Sequence, residues 1–145
     1  MEKQIFQKVL NNTKVKRPVV KNSLQAFLVG GIIALLGKAL LDFYQLVVNL
    51  EEKVATSLMS ITLVFLASLL TGLGIYDRIG QFAGAGSIIP ITGFSNSMTS
   101  AALESKSEGI VLGIMTNMFK LAGAVIVAGI VSAFFSATLI YLFSR

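Results

Sequence analysis

Lys38 and Lys120 each stand inside a long apolar run, where a lysine costs ~2.5–3.5 kcal/mol on insertion scales unless it snorkels, pairs or faces water. Each is therefore a candidate for lining a wet path and attracting an anion. Lys38 has an alternative reading, because Asp42 follows four residues later on the same helical face and the near end of the run lies within snorkelling reach. Lys120 is flanked by apolar sequence on both sides; its bland reading is that residues 109–119 lie at the surface and Lys120 opens the last span. Between the two lysines, Thr92, Ser95, Asn96 and Ser97 bring donors and acceptors to a stretch broken by Pro90 and Gly93. Helix N-termini exposed at such a break offer backbone N–H groups to an anion. The alternative is a structural hairpin whose hydroxyls bond back to helical carbonyls. Asn117, three residues before Lys120, adds an amide to the same candidate path.

A second group of charges sits at the edges. Asp77 and Arg78 mark one interface, while Glu104 and Glu108, spaced i, i+4, offer two carboxylates to a cation or a partner at an entrance, or form a solvated turn. GAG within GQFAGAGS lacks the lysine and hydroxyl of a phosphate loop, so no nucleotide is assigned to it. The sequence holds no cysteine and no histidine, which removes thiol nucleophiles, thiolate or imidazole metal sites and the usual neutral-pH base. No catalytic residue, bound metal or cofactor is expected, and the protein reads as a non-enzyme.

The elements that must position these residues are membrane helices. With 54% hydrophobic and 13% charged residues the chain lies outside soluble usage. Six basic residues (Lys3, Lys8, Lys14, Lys16, Arg17 and Lys21) precede the first apolar run against Glu2 alone, which predicts a cytoplasmic N-terminus. Nucleic acid is not expected as a partner, since aromatic interleaving is missing and a bilayer-length run follows. The basic region is long and no small-residue cleavage pattern follows it, which predicts a retained N-terminus. Residues 1–22 read as a basic segment whose first dozen residues form an amphipathic helix at the membrane surface; residues 23–145 read as one membrane domain. Spans are expected at about 24–48, 54–76 and 121–143. From about 79 to 119 a re-entrant or broken membrane segment is expected, with Gly84, Gly86, Pro90 and Gly93 as its hinges and a half-helix over Gly109–Phe119. The fold class is an all-α integral membrane protein with three to four transmembrane helices and a glycine-rich re-entrant or discontinuous hairpin. Gly31-Ile32-Ile33 precedes Lys38 by the interval at which Gly113-Ile114-Met115 precedes Lys120, an echo that a half-transporter repeat or chance can produce.

The run GIYDRIGQFAGAGSIIPITGFSNSMTSAALESKSEGIVLGIMTNMFKLAG, Gly74–Gly123, resembles the SpoVA membrane proteins of endospore-forming bacteria. The TNMFKLAG ending and the AFLVGG entry to the first span resemble the AC type more than the shorter AE type. That resemblance implies a subunit of a spore inner-membrane channel, moving dipicolinic acid with calcium into the developing spore and out during germination. It further implies an AE-type membrane subunit and a soluble AD-type partner, with mechanosensitive behaviour. Dipicolinate, a small planar dianion, suits Lys38, Lys120 and half-helix N-termini, and calcium suits Glu104 and Glu108. A chain this short encloses little pore alone, which predicts a homo- or hetero-oligomer in contact with membrane lipid. The alternative from another class is a non-conducting scaffold subunit of the same assembly.

Overall fold

The computed structural model describes Phe6 and residues 18–144. Apart from Phe6, the predicted amphipathic helix lies outside the described residues, as do most of the basic connector and Arg145. Among the described residues the chain is helical throughout, with no strand, and three helical runs are long and apolar enough to cross a membrane.

Helix α1, Val19–Asp42, starts directly after Pro18, whose fixed φ suits a helix entry. It widens into a π-helical stretch, Phe43–Val47, before the chain turns at Asn49, the one described non-glycine residue with positive φ (56°), a conformation asparagine tolerates better than most residues. Helix α2, Glu52–Gly72, carries Glu52 in its first turn, where a carboxylate opposes the positive end of the helix dipole. It ends in a Schellman cap: Gly74 adopts φ 70° and its N–H bonds the Thr71 carbonyl, while the Ile75 N–H bonds the Leu70 carbonyl.

The weakly apolar middle of the chain becomes three short helices instead of one span. Helix α3, Tyr76–Ala83, stops at Gly84, whose φ of 52° no ordinary side chain favours. One turn, α4 (Ala85–Ile88), follows, then Pro90 in extended conformation caps α5, Ile91–Glu104. A 3₁₀ turn, Lys106–Glu108, leads through Gly109 into a π-helical stretch, Ile110–Met115, and on to α6, Thr116–Phe143. The expected half-helix over Gly109–Phe119 is therefore part of one continuous run of 34 residues; at 1.5 Å per residue it measures ~51 Å. Gly113 does not break this run because its bare Cα answers a packing need: a Cβ there would strike the Ser105 carbonyl.

Packing is inside-out relative to a soluble domain. Phe, Leu and Ile side chains are exposed along every long helix, whereas the buried set pairs Ala55, Leu63, Ala67, Tyr76 and Ala83 with Thr71, Ser87, Thr92, Ser95 and Ser105. This is the arrangement a bilayer demands, since lipid solvates apolar side chains and leaves polar ones to find partners within the protein. The most extensive helix contact is α2 on α5; α1 packs on α3, α4 and α2, and α6 touches the rest chiefly through α5.

Candidate functional site

Pro90 and Ile91 share a shallow cavity of about 430 Å³ with Gly30, Ala34, Gly37 and Lys38 of α1 and Met59 of α2. The turn between α4 and α5 thus reaches the middle of both long helices. Its two arms are held differently. On the α4 side, Gly86 meets Gly30 and the Ala26 backbone of α1 so closely that a side chain at 86 would collide with the Ala26 carbonyl. On the α5 side the glue is polar. Ser95 Oγ donates to the Val64 carbonyl at 2.8 Å and lies 2.8 Å from Ser68 Oγ. Thr71 Oγ1 donates to Asn96 Oδ1 at 2.8 Å. The arms are tied to each other by the buried Tyr76 hydroxyl, which bonds the Ser87 carbonyl at 2.9 Å and Thr92 Oγ1 at 2.8 Å. Gly93 sits under this tie, where a Cβ would run into the Ser87 and Ile88 carbonyls.

The sequence candidates fall into separate groups. Thr92 and Ser95 are buried and Asn96 half-buried, all three bonded to other helices, while exposed Ser97 bonds only the Gly93 carbonyl one turn back. Asn117 Nδ2 reaches Ser105 Oγ at 2.7 Å and the Gly113 carbonyl at 3.2 Å, fastening the start of α6 to the end of α5. Lys38 Nζ donates to Asp42 Oδ1 at 2.6 Å, with both side chains substantially exposed. Lys120 lies exposed in the second turn of α6, and no ion pair among the described residues involves it. Lys38 is thus brought to the Pro90 turn, whereas Lys120 belongs to the α6 arm. Asp77 and Arg78 are exposed in the first turn of α3. Glu104 ends α5 and Glu108 closes the following 3₁₀ turn, so the i, i+4 helical face expected of them is interrupted at Ser105. Among the described residues no cluster of three metal-ligating side chains occurs. The four hinge candidates all lie at or beside a break: Gly84 and Pro90 make the two interruptions, and Gly86 and Gly93 allow the close approaches next to them.

Sequence reasoning missed Tyr76, Ser68, Thr71 and Ser87, which complete the polar network. One signal was present, since Ser68 and Thr71 are three apart in an otherwise apolar span and so share a face. Every buried side-chain polar atom among the described residues has a partner. The arrangement can lock a bent segment against two spans at mid-helix depth, and it can present one lysine beside the bend.

A family model described as SpoVAC/SpoVAEB sporulation membrane protein matches residues 22–139. Stage V sporulation protein AC of Bacillus subtilis (strain 168) is 51% identical to the chain over 143 residues, covering 99% of this chain and 95% of that protein. No solved structure matches.

Proposed function

This chain belongs to the SpoVAC/SpoVAEB family of sporulation membrane proteins, and from that premise we propose that it is a subunit of a spore inner-membrane channel for dipicolinic acid and calcium, loading the developing spore and emptying it during germination. The observation that carries the reading is the bent segment whose turn at Pro90 meets mid-α1 and mid-α2 with Lys38 beside it. A turn at that depth is tolerated in a bilayer only against protein or a water-filled cavity, which supports reading α3–α5 as a re-entrant pore element rather than a lipid-facing loop. Lys38 supplies an attractive charge for the dianion, and releasing Asp42 frees it. Lys120 supplies a second charge once α6 meets a neighbouring subunit. Glu104 and Glu108 serve as entrance contacts for calcium, and Asp77 and Arg78 as further entrance or partner contacts. The AE-type membrane subunit and soluble AD-type protein are the partners proposed to complete the assembly, whose N-termini face the cytoplasm.

A scaffold role is the second reading, and one observation favours it: Thr92 and Ser95 are turned into helix packing rather than toward an open path. The half-transporter reading draws no support, because Gly31 has open space around it while Gly113 is tightly packed. The deciding experiment replaces Lys38 and Lys120 separately by Ala and by Glu and measures dipicolinic acid uptake by developing spores at matched membrane abundance. A channel subunit loses uptake, with Glu more damaging than Ala because the charge is reversed. Normal uptake in all four variants leaves the scaffold role.

A further inference from the structure

Three depressions join end to end along the N-terminal half of α1. The first, about 420 Å³, lies between the start of α1 and the α3–α4 break, and its wall carries the Asn22, Gln25 and Gln81 amides and the Ser23 hydroxyl. It shares Ala26 and Ala85 with a second, about 400 Å³, which is wholly apolar and runs past Gly30, Gly31 and Gly86. The third shares Phe27, Gly31 and Ala34 with the second and extends it to Leu35. From Asn22 to Ala34 is 12 residues, or ~18 Å of helix, about one half of a ~30 Å hydrocarbon core. A track that is polar for its first turn, apolar for the rest and one leaflet deep has the profile of a single lipid molecule.

Charge narrows the class. Lys21 is exposed next to Asn22, the first turn of α1 carries no acid, and the sequence places Lys14, Lys16 and Arg17 immediately upstream. Asp77, one turn before Gln81, is offset by its neighbour Arg78. Basic residues clustered at the membrane end of a span favour anionic headgroups by roughly fivefold each, and amides and hydroxyls complement phosphate oxygens. We infer that this track is a binding site for an anionic glycerophospholipid of the leaflet that meets the start of α1, with its phosphate between Asn22 and Gln81 and an acyl chain along Gly31 and Ala34.

The test uses the full chain, purified in mild detergent with equal phosphatidylglycerol and phosphatidylcholine and examined by native mass spectrometry. Phosphatidylglycerol is expected to be retained in preference. Gly31→Leu fills the apolar groove, since nothing lies within 4 Å of a Cβ there, and is expected to lower retention of both lipids several-fold. Gly123→Leu, placed in equally open space on α6, keeps the wild-type pattern. Lys21→Gln is expected to cut the preference about fivefold, and Asn22→Leu with Gln81→Leu to abolish it while the chain groove stays occupied. Helical circular dichroism and elution volume establish that each variant is folded, with Gly31→Val as the smaller filler should Leu disturb folding. Equal retention of the two lipids by the wild type, or unchanged retention by the folded groove variants, overturns the proposal. Displacement of the lipid by millimolar inorganic phosphate also overturns it, by marking a free-anion site.

Discussion

At the scale of single residues, Tyr76 holds the bend closed. Its hydroxyl touches both arms, bonding Ser87 before Pro90 and Thr92 after it. Tyr76→Phe keeps the ring and removes these bonds, leaving a buried hydroxyl and carbonyl to compete for fewer partners. Interhelical hydrogen bonds in membrane proteins contribute roughly 0.6 kcal/mol on average and up to about 1.7, so a loss of about 1 kcal/mol is expected. A lower denaturation midpoint in detergent, together with faster amide exchange over residues 87–92, would establish it; unchanged exchange would mean that packing alone closes the bend. Lys38 offers a contrast. Its ion pair with Asp42 is largely exposed, and exposed pairs contribute about 0–1 kcal/mol. Lys38→Met is therefore expected to leave the denaturation midpoint within measurement error while lowering dipicolinic acid uptake. A large stability loss would instead make Lys38 a structural residue.

At the scale of elements, the crossing of α1 and α4 depends on bare backbone. Gly86→Leu must drive the bend away from Ala26, and overpacking of this kind costs about 1–3 kcal/mol. The same substitution at Gly31, one residue beyond the Gly30 contact, meets open space and is expected to be tolerated. Thermal melting of the two variants in one detergent checks the ordering, and equal midpoints would mean that the α1–α4 contact contributes little. The long helices and the break were legible because apolar run length and the Gly/Pro punctuation act locally: the strongly apolar run after Lys53 forms one long helix, whereas the equally uncharged Ile79–Leu103 is broken at Gly84 and Pro90. The polar lock was not, since a hydroxyl such as Ser68 or Thr71 reads identically whether it bonds its own helix or a neighbour. Asn96 was singled out for a path on the same evidence that fits a helix contact. Likewise the close packing of Gly113 is set by the Ser105 carbonyl, a partner eight residues away across the turn.

At the scale of the whole molecule, the number of crossings fixes where the ends lie. On the proposed reading, in which α3–α5 enters and leaves by one side, the three helical runs of spanning length put the two termini on opposite faces. In that topology the basic residues favour an inside N-terminus, since six of twelve fall before residue 22 and Arg78 and Lys106 fall on the same side, against Lys53 in the first turn of α2. If the bend were instead two full crossings, the C-terminus would return inside. The sequence contains no cysteine, so single cysteines report without background. In intact cells a membrane-impermeant maleimide is expected to label Ser144→Cys and Asn49→Cys at once, and Lys106→Cys only after permeabilisation. Protection of Ser144→Cys with labelling of Asn49→Cys would establish an even number of crossings and remove the re-entrant bend, and with it the placement of Pro90 at mid-membrane depth.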